Sequence, residues 1–384
     1  MIALGIMSGT SLDGIDVALV DLQPKGTGYR VEMFASQTAP MPSDLAQSLQ
    51  SVLAPREGST RMVAELHQRL GRAFAEVALE IVDGRPVDFV ASHGQTLWHD
   101  GARSITLQVG DPFLLREALH ATVCYDFRSA DCAAGGHGAP LVPYVDALLL
   151  GDRGEDRVVV NLGGVANLTA LPRRAAGDPS AVLGFDVGPA NLTLDAFVQA
   201  RTGHRLRCDV DGALAAAGRC DAALLDEMLA DPYFAQMPPK STGREHFGAA
   251  FLDLHARRLA ALSTADGAAT LTELVAASLS QAIRALGLDR PRVLCSGGGV
   301  RNPVLLARIA ARLPDMRVES TAVMGIDPDA KEAVAFAVLG YETLRGRPAN
   351  LPSVTGARHR VVLGGLAPYD LSSLLAKVAA ECRG

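Results

Sequence analysis

The residues best suited to chemistry in this chain gather at four polar, glycine-rich tips, each following an apolar run: 8–14, 163–167, 188–191 and 297–302. Backbone N–H groups close on a phosphate only where no side chain stands in the way. Glycine permits that approach and supplies positive φ where a turn needs it. Helix starts at Asn191 and Asn302 would add partial positive charge toward an anion. One such tip is ordinary punctuation between elements, but four in one chain point to phosphate handling. Two familiar nucleotide patterns are absent. Gly9 and Gly14 have P-loop spacing, yet Ile15 stands where the lysine belongs. Gly297, Gly299 and Asn302 approach a dinucleotide fingerprint without its third glycine. There is no Gly-x-Ser-x-Gly nucleophile elbow either.

The elements that must carry these tips follow from the pattern. Ile2–Met7 and the run IDVALVDL (15–22) read as strands around a turn-rich tip, which predicts a β-hairpin. Met62, Val63, Leu66, Leu70, Phe74, Val77, Ala78 and Ile81 recur at helical spacing and predict an amphipathic helix over 61–83. Val87–Ala91 reads as a buried strand entering SHGQT (92–96). A second hairpin is expected from RVVVNL (157–162) and VANLTAL (165–171) around Gly163 and Gly164, after a junction at GDRGED (151–156). Both halves thus open as strand, glycine-rich tip, strand, which suggests a duplicated layout. A strand at 181–187, helical structure over 192–203 and 206–231, a loop over 237–247 ending in a helix start, a helix over 268–287 and a strand at 292–296 follow. Asn302 is a favoured N-cap and Pro303 sits at the first helical position, so a helix starts there. Strands alternating with helices indicate an α/β protein.

Composition sets the class. The 384 residues are 48% hydrophobic and 20% charged, enough for two cored domains. Net charge is −6 with no Lys/Arg block, which argues against a general nucleic-acid binder and allows a phosphorylated small molecule. Cysteines 124, 132, 208, 220, 295 and 382 form no CxxC and read as buried thiols in a reducing compartment. The N-terminus lacks a basic region and reaches Asp13 early, unlike a signal peptide. No run of about 18 apolar residues occurs, so no membrane span is expected. A cytoplasmic protein is the expectation.

MSGTSLDGID (7–16), SHGQT (92–96), GDP (110–112), DFRSADCAAGGHGAPLVP (126–143), NLGGVANLT (161–169), GFDVGPANLTLD (184–195), PKSTGRE (239–245), SGGGVRNP (296–303) and KEAVAFA (331–337) together resemble the anhydro-N-acetylmuramic acid kinase family, within the actin-like sugar kinase and Hsp70 superfamily. The resemblance implies two actin-like (ribonuclease H-like) α/β domains flanking an ATP cleft. We expect them at 1–150, joined by the C-terminal segment 366–384, and at 151–365. It implies a kinase that uses ATP and Mg²⁺ on 1,6-anhydro-N-acetylmuramic acid, hydrolysing the anhydro bridge and phosphorylating O6, in a family that commonly forms homodimers. A conventional sugar kinase without ring hydrolysis and a non-sugar actin-like ATPase are the competing readings.

Site residues follow from the same resemblance. Asp186, at a strand end before a Gly-Pro loop, is the expected base for the attacking water, and Asp195 a helix-dipole support. ATP is expected against Gly9, Thr10, Ser11, Leu12, Asp13, Gly14, Ile15, Asp16, Asn161, Gly163, Gly164, Asn167, Gly188 and Asn191. Gly297, Gly298, Gly299 and Asn302 are expected along adenosine, with Glu332 a ribose or adenine contact. Asp13 or Asp16 would hold Mg²⁺ through water. His93, Gln95, Asp111 and Arg128 are expected at the sugar, with Arg128 on its lactyl carboxylate. Two departures stand out. Met7 occupies the place of the superfamily's aspartate, and GPAN (188–191) has Ala190 where the family has glycine.

Overall fold

The chain was analysed as a computed structural model that describes residues 1–9, 14–26, 28–53, 58–176 and 178–381. Thr10, Ser11, Leu12, Asp13 and Cys382 lie outside the described residues. The strands in chain order are β1 (Ile2–Ser8), β2 (Gly14–Lys25), β3 (Gly28–Pro40), β4 (Phe89–Asp100), β5 (Ile105–Val109), β6 (Thr122–Tyr125), β7 (Arg157–Leu162), β8 (Val165–Leu171), β9 (Leu183–Pro189), β10 (Arg292–Ser296), β11 (Val318–Ser320) and β12 (Gly365–Ala367). Five helices matter most to the site: α1 (Thr60–Val82), α2 (Asn191–Thr202), α3 (Thr264–Ala285), α4 (Pro303–Arg312) and α5 (Lys331–Leu344).

Both expected hairpins form. β1 pairs antiparallel with β2, ending at Met7↔Asp16, and β7 with β8, including Asn161↔Asn167. The first sheet runs β3-β2-β1-β4-β6-β12, with β5 on β4, and the second runs β9-β8-β7-β10-β11. Within each, three antiparallel strands are followed by two that join parallel. The order 3-2-1-4-5 therefore occurs twice, the actin-like arrangement that the resemblance implies.

One face of each sheet is a helix-covered core. Leu4 and Ile6 of β1 pack with Leu66, Leu70 and Phe74 of α1, whose first turn is capped by Ser59 accepting from the Met62 N–H. Val158, Val160 and Leu162 of β7 pack with Val275, Ala276, Leu279 and Ile283 of α3. Burying each such side chain contributes about 1.5–3 kcal/mol. α4 starts as predicted, with the Asn302 side chain accepting from the Leu305 N–H and Pro303 at the first position.

The chain divides into two units: Met1–Leu149 with Gly177–Val182 and Asp329–Gly384, and Leu150–Ala176 with Leu183–Pro328. The expected second domain, 151–365, is thus too long at its end. The return to the first unit begins at Asp329, because α5 packs on β1, β2 and β4. That packing needs small residues. A Cβ on Gly5 would lie 1.9 Å from the Ala333 carbonyl oxygen, and one on Gly340 2.7 Å from Ala91 Cβ.

Cys124, Cys132, Cys208, Cys220 and Cys295 are free thiols. Among the described residues no helix is long and apolar enough to cross a membrane.

Candidate active site

In the second unit, register brings three sequence-predicted residues into a row. Asn161 on β7 faces Asn167 on β8, and Asn167 faces Asp186 on β9. Directly opposed residues of antiparallel strands share a face, and all three are half-buried. Ser296 on β10 extends the row beside Asn161. The intervening residues, among them Phe185 and Val187, turn to the core on the other face.

Asp186 is held by a strap that the sequence reading quoted as a motif but gave no role. The Thr242 N–H donates to Asp186 Oδ2 at 3.0 Å, and the Asp186 N–H donates to the Lys240 carbonyl at 3.3 Å. The Tyr233 hydroxyl donates to the Asp186 carbonyl at 2.7 Å. Burial pushes the Asp186 carboxyl up to about 6, the Thr242 N–H opposes the rise, and the Glu245 charge adds to it. A carboxylate of that basicity is still ionised at neutral pH and takes a proton more readily than an exposed one. Thr242 Oγ1 is buried without a hydrogen-bond partner, so the strap offers one further polar atom next to the Asp186 carboxylate. Asp186 does not cap α2. The cap is Ala190, at φ −134°, so no positive φ is needed where the family has glycine.

The start of α2 differs from expectation. The Asn191 N–H donates to the Gly163 carbonyl, and the Ala190 and Leu192 N–H groups donate to that of Gly164. The Asn191 side chain donates to the Leu162 carbonyl at 3.0 Å. These helix N–H groups fix the β7–β8 tip and are not available to an anion.

The glycines sort by cause. A Cβ on Gly188 would press on the Phe234 ring at 2.6 Å, and one on Gly14 on Thr38 at 2.7 Å. Gly297 has φ +80°, and its Cβ would lie 2.4 Å from Asn161 Oδ1. By contrast, a Cβ on Gly163, Gly164 or Gly298 would meet nothing closer than 3.5 Å, and none of the three has positive φ. Internal packing does not require glycine there, whereas a phosphate group approaching the backbone does. These three positions fit a nucleotide. Gly299 lies against Leu162 and Asn191.

Asp195 faces Asp209, whose carboxylate accepts from the Leu214 and Ala215 N–H groups. Burial, then the Asp209 charge, pushes the Asp195 carboxyl up to about 7.

In the first unit, Arg128 is the centre. Its Nε donates to His93 Nε2 at 2.9 Å and its Nη1 to the Gly138 carbonyl at 2.8 Å. His93 is 3% exposed, its Nδ1 lies 2.8 Å from the Gly94 carbonyl, and burial, reinforced by the Arg128 charge, holds it well below its ordinary pKa. A neutral imidazole with Nδ1–H on Gly94 accepts from Arg128 at Nε2, so His93 orients Arg128 and has no nitrogen left for sugar. Gln95 is also fully buried, accepting from Ser8 Oγ at 2.7 Å. Asp111 caps the helix Pro112–Leu119 by accepting from the Phe113 N–H. Of the four residues expected at the sugar, Arg128 therefore keeps donors, those of Nη2, to offer. Ser92 Oγ, beside His93 in sequence, is buried without a hydrogen-bond partner.

Glu332 sits at the start of α5, where burial raises its pKa, and Lys331, Asp16, Arg128 and Asp146 are its charged neighbours. Lys331 makes a buried ion pair with Asp146 at 2.9 Å, which the sequence pattern did not signal. Asp16 accepts from Thr38 Oγ1 at 2.6 Å. Its carboxylate is the hard oxygen donor that suits Mg²⁺, and no group of three metal-ligating side chains occurs among the described residues. Ile15 is fully buried in the core, so it meets no ligand with its side chain. Trp98 is 47% exposed.

The family model described as "Anhydro-N-acetylmuramic acid kinase" matches residues 1–369. The chain belongs to that family. Curated anhydro-N-acetylmuramic acid kinases of Xanthomonas axonopodis pv. citri and Xanthomonas oryzae pv. oryzae are 47% and 46% identical to it, covering 95% and 96% of this chain and 97% of each relative. Among solved structures the chain is similar to a ROK family glucokinase from Streptomyces griseus in complex with glucose and AMPPNP, at 12% identity and TM-score 0.40, over 88% of this chain and 99% of that one. As a member of the family the chain is an enzyme, a kinase with ATP as its co-substrate.

Proposed function

We propose that this kinase acts on 1,6-anhydro-N-acetylmuramic acid, opening the anhydro ring with water and phosphorylating O6, so that N-acetylmuramate 6-phosphate and ADP are formed. The observation that carries the reading is Asp186: a half-buried carboxylate with raised basicity, aimed from the polar face of the second sheet and strapped by Thr242 and Lys240. Asp186 takes a proton from water as the water oxygen bonds to C1. The C1–O6 bond breaks, and its electron pair stays on O6. O6 then bonds to the γ-phosphorus as ADP leaves, and Asp186 releases its proton to solvent.

Backbone at Gly163, Gly164 and Gly298 leaves room for phosphate, and Asn161 and Asn167 supply amide groups on the same face as the base. The Nη2 donors of Arg128 suit the lactyl carboxylate, for which a guanidinium is well shaped. Magnesium, when bound, would screen phosphate charge, with Asp16 holding it through water. ATP supply favours a cytoplasmic enzyme of cell-wall sugar recycling, and the family resemblance supports a homodimer.

A conventional kinase would add only a phosphoryl group. Mass spectrometry of the product made from the anhydro-sugar distinguishes the two: this reading expects one water in addition to the phosphoryl group, and a product without that water refutes it.

A further inference from the structure

A cavity of about 340 Å³ lies behind the catalytic strand, wholly within the second unit. Its floor is Phe185 and Val187, the two neighbours of Asp186 that point to the opposite face of β9, its wall is Ala282 on α3, and its roof is Phe234, Met237 and Lys240. The volume is roughly twice that of an engineered cavity of about 150 Å³ that accepts benzene. The lining is mostly apolar, and among the described residues that form it Lys240 alone carries a charge.

The Lys240 ammonium is bonded to the Tyr233 carbonyl at 3.1 Å and lies 4.5 Å from the Tyr233 ring centroid and 5.8 Å from that of Phe185. Burial lowers its pKa, so an anionic partner would relieve its desolvation. Gln236, Ser278 and Gln281 add uncharged polar groups to the lining, but none of them neutralises the ammonium. A neutral hydrocarbon would leave the ammonium as it is.

We propose that this cavity is a second ligand site that takes a small amphipathic carboxylate, its hydrocarbon body between β9 and α3 and its carboxylate on Lys240. The site is mechanically joined to the base. Tyr233, Lys240 and Thr242, which hold Asp186 at its carbonyl, its N–H and its carboxylate, belong to the segment that carries the roof. A ligand that draws Lys240 toward itself shifts that strap, so occupancy changes turnover. The coupling to turnover rests on Asp186 being the base, whereas the binding does not.

Sodium octanoate is the probe, with 1-octanol as the uncharged comparison, titrated calorimetrically into the full-length enzyme. Octanoate is expected to bind saturably. Lys240→Met should weaken octanoate about tenfold, the scale of a lost charged hydrogen bond, and leave octanol unchanged. Ala282→Phe fills the cavity and should abolish octanoate binding while keeping basal turnover. Ala285→Trp, on the same wall, serves the same purpose if the first variant unfolds early on heating. Absence of saturable binding, or equal binding in a folded cavity-filled variant, overturns the site. Octanoate should change kcat of the wild-type enzyme and not of Ala282→Phe. Binding without any change in kcat overturns the coupling. Asp186→Asn should bind octanoate like the wild type, so a failed base assignment leaves the binding result standing.

Discussion

The two units share one strand order but place their acids on different strands. In the first, Met7, Asp16 and Thr38 stand opposite one another on β1, β2 and β3. In the second, the equivalent positions on β7, β8 and β9 are Asn161, Asn167 and Asp186. Asp16 on a second strand keeps a half-exposed carboxylate bonded to Thr38, suited to a hydrated cation. Asp186 on a third strand is desolvated and strapped, suited to taking a proton. The register supplies three equivalent places, and the solvent around each decides what an aspartate there can do.

The largest effect expected from breaking this division is at the third-strand acid. Asp186→Asn should lower kcat by about 10³-fold, within the range for loss of a general base, with ATP affinity measured by calorimetry nearly unchanged. The same variant should be more stable at neutral pH. The folded-state pKa of Asp186 lies above its unfolded value, so its contribution is full below about pH 4 and is lost as pH rises through about 6. Removing the charge recovers up to about 3 kcal/mol at pH 7, visible as a higher urea midpoint. A lower midpoint would mean that the strap, and not desolvation, dominates.

Glycines sharpen the contrast between packing and ligand roles. Gly5→Ala should cost about 3 kcal/mol, because its Cβ would strike the Ala333 backbone. Gly164→Ala should leave thermal stability within about 0.5 kcal/mol and raise KM for ATP several-fold. If Gly164→Ala binds ATP normally, the open space over the β7–β8 tip is not where phosphate lies.

A smaller split is expected at Arg128. Arg128→Met should raise KM for the anhydro-sugar by about 10–100-fold, the scale of a charged hydrogen bond, with a lesser effect on kcat, and Arg128→Lys should recover part of it. A substrate analogue lacking the lactyl carboxylate should be insensitive to either change. Equal losses with that analogue would make Arg128 structural.

Much of this was legible in the sequence because it is local. Apolar runs around a glycine tip gave both hairpins, and Asn302–Pro303 gave the start of α4. Asp186, Asn161 and Asn167 were marked by their motifs. Their alignment in one row was not, since it depends on pairing across three strands and a bulge between Ala166 and Asn167. That the return to the first unit begins at Asp329, well before the expected 366, was also hidden. It rests on contacts such as Gly5 with Ala333, more than three hundred residues apart. His93 looked like a sugar contact because a histidine's type does not reveal that both ring nitrogens are already engaged. Asn191 looked like an anion site for the same reason: its N–H is taken by a carbonyl that only the folded hairpin brings near.

The central claim is that desolvation makes Asp186 the base. The pH dependence of kcat/KM for the anhydro-sugar at saturating ATP tests it most directly. The account predicts an acid limb with a midpoint near 6, as the carboxylate protonates, and loss of that limb in the residual activity of Asp186→Asn. A rate that stays flat down to pH 4.5, or a limb that survives in the variant, would contradict it.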